Sequence, residues 1–527
     1  MLRPRITLTK IRLYIFSSVA LYTRLFFMAL FFGICSQQIA AQNIIYDRFD
    51  IVNNYNSTCY DEKINFFPSV LCTNQIEGAF NSLPVYSNLV YNSGYAKGLN
   101  DGPAWQGKGI NITFGAGFSG RVGRFSYVIN PIFQYAENRS FQITSPRESR
   151  QEFQYPFSEE IDYVTRFGND PVLKIFPGQS DISLSFKPVT FSLSTQNMRW
   201  GSALFNPIVM STNAPGIPHF RIGTNKPWET KIGNFESNLM WGYLKESDYF
   251  NTNSNDDVRY FSGFTFGYQP SFFEGFSIGL NRILYTQTDY LTNFFYDGFI
   301  PFSGFFNSGN EVVVNGSLTN DVYDQIASIT FHWENETKDF QFYAEWARGD
   351  FASGIMDLLT QPEHNRAYTF GAWKEFPIMN ARKIRIIYEH TSLAVWQTLR
   401  LRAGTSIYTH QTNKQGFTNN GQIIGSSIGP GSSADIFLAS YFWKSSSLAF
   451  EYQRTRYNDD YYYTNFTTRS DLTPQDIEHQ VGIAFEEKRK HFSYRLASYV
   501  GIRTDYYFEL GEIKNNLHTD LSIKYHF

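Results

Sequence analysis

Three glycines, Gly115, Gly117 and Gly120, stand at the spacing of a dinucleotide-binding turn, whose chemistry needs a helix N-terminus to hold a pyrophosphate. The next residues, Arg121 to Asn130, alternate as a strand does, so that chemistry is excluded. Gly102, Gly107 and Lys108 come close to a phosphate-binding loop, but Gly109 stands where a Ser or Thr would hold magnesium. The chain has no HExxH zinc pair and no CxxC, and neither catalytic residues nor a cofactor nor a metal is expected. His219, in a Pro- and Asn-rich stretch, reads as a hydrogen-bonded structural histidine. The oxygen-rich run Asn251 to Asp257 lacks the spacing of a calcium loop and reads as a solvated connection.

A different chemistry is offered by Asn458, Asp459, Asp460, Tyr461, Tyr462, Tyr463, Thr464 and Asn465. Flat aromatic faces beside carboxylates and amides are what a sugar ring requires of a binding surface. Tyr also crowds every membrane interface, and a girdle of aromatic residues is an equal reading of the same run. Glu345, Arg385, Glu389, Arg400, Arg402 and Glu451 would all face one side of their strands. They read as a charged network that rigidifies an interior, or alternatively as a path for a solute.

The elements that must position these residues are strands. At the C-terminus Leu521, Ile523, Tyr525 and Phe527 alternate with Asp520, Ser522, Lys524 and His526, a period of two with one greasy and one wet face. Ile182, Leu184 and Phe186 lead through Lys187-Pro188 to Val189, Phe191 and Leu193, a hairpin. Phe340, Phe342, Ala344 and Trp346, then Ile384, Ile386 and Tyr388, then Leu448, Phe450 and Tyr452 repeat the pattern. Short connections alternate with long ones such as 284–325, 391–435 and 453–478, as in outer-membrane barrels. In hydrocarbon a strand must pair all its backbone groups, which only a closed barrel achieves. With about 9–11 residues per strand, the chain predicts an all-β, antiparallel transmembrane barrel of about 18 strands (16–18).

Arg3, Arg5, Lys10, Arg12 and Arg24 precede an apolar run from Leu25 to Ile34 and then Ala40 and Ala41, the pattern of a cleaved export signal over 1–41. Residues 42–100 read as an N-terminal periplasmic or lumenal segment, and 101–527 as the barrel. Losing the signal takes the formal charge from −3 to −8, which excludes nucleic acid as a partner. Cys59 and Cys72 remain, and an oxidising compartment would let them pair. An aromatic last residue on an amphipathic strand also suits the machinery that inserts barrels into an outer membrane, and outer-membrane lipid is the expected surroundings.

Met198 to His219, with Trp200-Gly201, Asn206 and Asn213-Ala214-Pro215, forms one long signature, and Trp241 to Phe250 comes after it. A second comprises Tyr408 to Gln411 and the glycine-rich Gly421 to Asp435, with Gln422. Together with Asn100 to Gly109 and Tyr343 to Phe351, they resemble the Wzi family of capsule assembly proteins over nearly the whole mature chain. The resemblance implies an outer-membrane barrel that binds capsular or related surface polysaccharide without turnover. Pro207, Pro215, Gly216 and Pro218 cannot continue a ladder, so Trp200, Asn206, Asn213, His219, Gln422 and Asp435 are expected around the interior. A passive channel, or an accessory barrel of a larger complex, is the alternative.

Overall fold

A computed structural model describes residues 76 and 78–527 except 99, 145–150, 303–311, 315–316, 320–321, 350–354, 400–403 and 467–472. Residues 1–41, Cys59, Cys72, Arg400 and Arg402 therefore lie outside the described residues.

Among the described residues, twenty-three strands join one sheet. The terminal strand Ile513–Tyr525 pairs antiparallel with Phe492–Thr504 on one side and with Val85–Asn92 on the other. That second ladder corrects the expected boundary at residue 101: residues 81–92 already belong to the sheet. Their signal is weak because Pro84 breaks the ladder between Asn81–Ser82 and Val85–Asn92, leaving only one short run of alternation. The hairpin across Lys187-Pro188 is present, with Asp181–Phe186 paired to Val189–Ser194.

The alternation sorts the two faces as the sequence predicts. Leu184, Leu193, Phe342, Tyr388, Leu448, Phe450 and Ile483 are exposed on one face. On the other, Glu345, Arg385, Glu389 and Glu451 are each 5% exposed or less. Charged side chains are almost never so buried unless something is packed on them. That something is the chain itself. Met198, Trp200, Ile208, Val209 and Met210 share a core with strand residues Met240, Phe261, Ile283 and Ile326, and with Ile407, Tyr408 and Ile423 from a later connection. Leu204 and Phe205 pack instead with Tyr343, Trp373, Ile387 and Leu438.

Tight turns, among them those at Lys187-Pro188 and Lys444-Ser445, lie at one end of the sheet. The long connections lie at the other end and carry the short helices Phe294–Phe299, Ile355–Thr360, Trp396–Leu399 and Asp459–Asn465. Within the sheet, glycine makes room for aromatic rings. A Cβ on Gly371 would stand 2.4 Å from the Tyr343 hydroxyl, and one on Gly263 would stand 2.8 Å from the Trp200 ring.

Tyr343 cannot move aside freely, because its hydroxyl donates to Glu389 at 2.8 Å. Gly371→Val should therefore destabilise the fold by roughly 1–3 kcal/mol, the usual cost of overpacking. A lower thermal midpoint of the purified protein in detergent would show it.

Candidate functional site

The stretch from Thr195 to Pro218 leaves the sheet after Val189–Ser194 and returns to it at His219, so its backbone lacks strand partners. Two buried carboxylates from the sheet supply them. Glu389 accepts from the backbone amides of Leu204, Phe205 and Asn206 at 2.7, 3.0 and 2.8 Å. Glu345 accepts from Ile208 N at 3.0 Å. Charge-assisted bonds of this kind are the strong ones, and they also satisfy carboxylates that would be costly to bury alone. Gly201, at φ 126°, fits where a Cβ would meet the Glu345 carboxylate at 2.5 Å. The Trp200-Gly201 signature is thus a packing device: the ring lies against Gly263 and the glycine against Glu345.

The glycine-rich connection interlocks with this plug. Ser211 N donates to Ile424 O at 2.9 Å, Asn213 Nδ2 to Ile423 O at 2.9 Å and Gln422 Nε2 to Asn213 O at 3.0 Å. Ser426 Oγ donates to Asn206 Oδ1 at 3.1 Å, and the Tyr408 hydroxyl to Ile208 O at 2.8 Å. A third segment joins through Asn100, whose Nδ2 donates to Phe205 O at 2.8 Å.

Where these segments meet the long-connection end of the sheet, they line a cleft of about 180 Å³. Trp105, Tyr155, Phe157, Tyr163, Tyr457 and Tyr507 contribute rings to its lining, and Asn100, Gln106 and Gln453 contribute amides. The side-chain oxygens of those three amides are buried and have no hydrogen-bond partner among the described residues. Arg503, Asp476 and Lys97 of the wall are internally paired. Arg503 holds Asp476 through two bonds at 2.5 and 2.6 Å and lies 3.9 Å from the Tyr457 ring centre. Lys97 meets Glu478 at 2.7 Å.

The residues singled out in the sequence are divided by this geometry. Asn206, Asn213 and Gln422 line the cleft. Trp200 is buried beneath them at 1% exposure, and His219 Nδ1 lies 2.6 Å from Ile217 O, a structural role. Asp435 is not interior. It alternates with buried Ala434 and Ile436 and so faces outward, where Tyr388, His390 and Arg454 surround it. The run after Asn458 is the helix Asp459–Asn465 rather than an open loop. Asp460 is turned inward, accepting from Val395 N, Trp396 N and Ser406 Oγ at 2.7–2.8 Å. Asp459 holds Arg456 at 2.9 Å. Tyr463 stacks on Trp396 at 3.8 Å, Tyr461 packs on Phe157 at 4.6 Å, and Tyr462 reaches Thr473 at 2.7 Å. Asn465 Nδ2 donates to Tyr461 O at 2.9 Å. Asn458 itself lines the cleft, donating to the Tyr155 hydroxyl at 2.8 Å.

Sequence reasoning missed Trp105, Tyr155, Tyr163 and Tyr507. Trp105 stands inside the signature Asn100 to Gly109; the others come from connections whose rings only the fold brings together.

The family model "Capsule assembly protein Wzi" matches residues 96–515. The chain belongs to that family. Among solved structures it is similar to Wzi of Escherichia coli, described as an outer-membrane protein involved in group 1 capsule assembly and a carbohydrate-binding β-barrel. That match has 10% identity and a TM-score of 0.54, covering 84% of each chain. It is also similar to OccAB2 of Acinetobacter baumannii, with 12% identity and a TM-score of 0.40, over 85% of this chain and 99% of that one. OprD of Pseudomonas aeruginosa matches at 9% identity and a TM-score of 0.38, over 87% and 99%. No curated protein sequence matches. The segments that carry the sequence resemblance lie within the matched residues and fall mainly on the plug and its partners, Glu345 among them.

Removing the Glu389 acceptor leaves three buried amides unsatisfied at about 1–3 kcal/mol each. In Glu389→Ala, hydrogen exchange at Leu204, Phe205 and Asn206 should therefore rise by two orders of magnitude or more, with Glu389→Gln intermediate.

Asp460 offers a pH test. Burial pushes its carboxyl up to about 6 despite its hydrogen bonds. Between about pH 4 and 6 the folded chain holds a proton that the unfolded chain has released. Its contribution to stability therefore falls as pH rises through that window. The melting temperature of Asp460→Asn relative to the parent should rise between pH 4 and pH 7.

Proposed function

We propose that this chain is a plugged outer-membrane β-barrel that holds capsular or related surface polysaccharide without chemical turnover. The observation that carries the reading is the cleft, where flat rings stand beside amide oxygens that lack partners. A polymer of sugar rings offers apolar C–H faces to the former and hydroxyl donors to the latter. Membership of the Wzi family supports the same ligand class, since its E. coli relative is described as a carbohydrate-binding barrel.

An 18-stranded closed wall is supported by the pairing pattern. Asn81–Ser82 with Val85–Asn92, Gly109–Gly115 with Phe118–Val122, Phe125–Ile129 with Ile132–Ala136, and Val172–Phe176 with Asp181–Phe186 each behave as one strand bent at its middle. In each case the two halves pair with the halves of the same neighbours. His219–Thr224 and Trp228–Thr230 both pair with Gly233–Lys245 and join in the same way. Counted so, consecutive strands pair all the way round, and Ile513–Tyr525 returns to Val85–Asn92. The greasy outer face fits outer-membrane lipid, an export signal over 1–41 would deliver the chain there, and the short turns would face the periplasm. The cleft then opens outward.

A passive channel has less support, because the plug packs against sheet residues from Met240 round to Tyr499. Purified protein in planar bilayers should give no steady porin-like conductance, and an open-pore current from the intact chain would count against the plugged reading.

Titrating the purified barrel with the organism's own surface polysaccharide should give saturable binding. Trp105→Ala and Tyr163→Ala should each weaken it about tenfold, roughly 1.4 kcal/mol. Surface polysaccharide retained normally by cells lacking the protein would sink the proposal.

A further inference from the structure

The fold turns Asp435 outward, and strand pairing gives it company there. Along one cross-strand row His390 stands opposite Asp435, Asp435 opposite Arg454, and Arg454 opposite His479. All four alternate with buried neighbours and so share the face that carries the exposed Tyr388, Phe437, Phe450 and Ile483.

The row marks the upper edge of that greasy face. Nine residues separate Asp435 from Lys444 at the tight turn, roughly 30 Å of strand. At a barrel tilt of about 40° this rises roughly 23 Å, close to the ~25 Å apolar band of outer-membrane barrels. A cation is costly in the middle of that band and tolerated at its edge. The row therefore stands at the height of lipid headgroups.

Within it, one carboxylate is already engaged. Asp435 Oδ1 accepts from the Tyr388 hydroxyl at 2.9 Å and lies 2.8 Å from His390 Nδ1. Arg454 Nη1 stays 3.8 Å from Oδ2, too far for a hydrogen bond. The Arg454 side chain is 37% exposed, and its guanidinium has no hydrogen bond among the described residues. His479 Nδ1 meets the Tyr452 hydroxyl at 2.9 Å. Both imidazoles thus have Nδ1 held by the protein and Nε2 left for a ligand. Arg366 extends the patch: its guanidinium lies 5.1 Å from the Tyr368 ring centre, and that ring lies 5.8 Å from His390.

Two arginines and two histidines face one carboxylate, so the patch attracts anions. The next outward row, Tyr388, Phe437, Tyr452 and Val481, is apolar over most of its surface. A ligand that fits both rows is anionic at one end and greasy below it. Guanidinium and imidazole donors suit the oxygens of a phosphate.

We propose that Arg454, His479, His390 and Arg366 form a site for the phosphate-bearing headgroup of an outer-leaflet lipid, whose acyl chains lie on the rows below. The inference rests on the outer-membrane reading and is separate from the cleft, to which none of these residues contributes.

The test mixes the full chain, purified in mild detergent, with diphosphoryl lipid A and counts bound lipid by native mass spectrometry. The parent should retain lipid A in clear preference to phosphatidylcholine, and inorganic phosphate should not displace it. Arg454→Ala and His479→Ala should each weaken retention about tenfold, the loss of one charge-assisted hydrogen bond, with the thermal midpoint unchanged. Arg454→Lys should fall between. Asp435→Asn, which removes the opposing charge and keeps an acceptor for Tyr388, should tighten retention. Parental retention in both alanine variants, or displacement by inorganic phosphate alone, would overturn the site. A chain that inserts into phosphatidylcholine vesicles yet shows no preference for lipid A overturns the site alone, whereas one that does not insert overturns the outer-membrane reading with it.

Discussion

Two carboxylates reaching from the sheet into the interior, Glu389 and Glu345, determine what the rest of the molecule can do. A segment containing Pro207, Pro215 and Pro218 has no place in a ladder, and once folded inside a sheet it is cut off from water. Its amides need acceptors, and the sheet carboxylates need donors. Each problem is the other's solution. Because Glu389 takes three consecutive amides and the Tyr343 hydroxyl, the plug backbone is held at a point rather than along a face. Its apolar side chains are then free to pack both ways across the interior.

The consequences run outward from that anchor. With the plug placed, the glycine-rich connection has a surface to bond, and the segment around Asn100 has Phe205 O to meet. Only after all three are stacked does a cleft exist above them, walled by connections far apart in the chain. The ion pairs Arg503–Asp476 and Lys97–Glu478 close on each other rather than on the cleft. Ring faces and amide oxygens are what these pairs leave open to the cleft.

The N-terminal part of the wall shows how irregularity hides strands. Pro84, Gly117, Pro131, and Pro177 with Gly178 interrupt residues 81–186. A period-two pattern restarted every five or six residues is hard to see in one dimension. Along the chain, 42–100 shows no clean alternation, although 85–92 is the strand that receives the C-terminus. The later strands, 10–13 residues long and unbroken, are plain.

Alternation of exposed and interior residues is a local property. Each strand states it alone, so the all-β class, the exposed greasy face and the buried Glu345, Arg385, Glu389 and Glu451 are legible in the sequence. Proline placement likewise announces that 195–218 must leave the sheet. Contact between distant segments has no such local signature. Asp435 looks interior until the register puts Ala434 and Ile436 there instead. Asp460 looks available until the fold sets it against Val395 and Trp396. The cleft rings meet only because the plug draws separate connections together over the end of the sheet. Pairing chosen by a continuous sheet and a packed interior is decided in three dimensions, and no spacing along the chain records it.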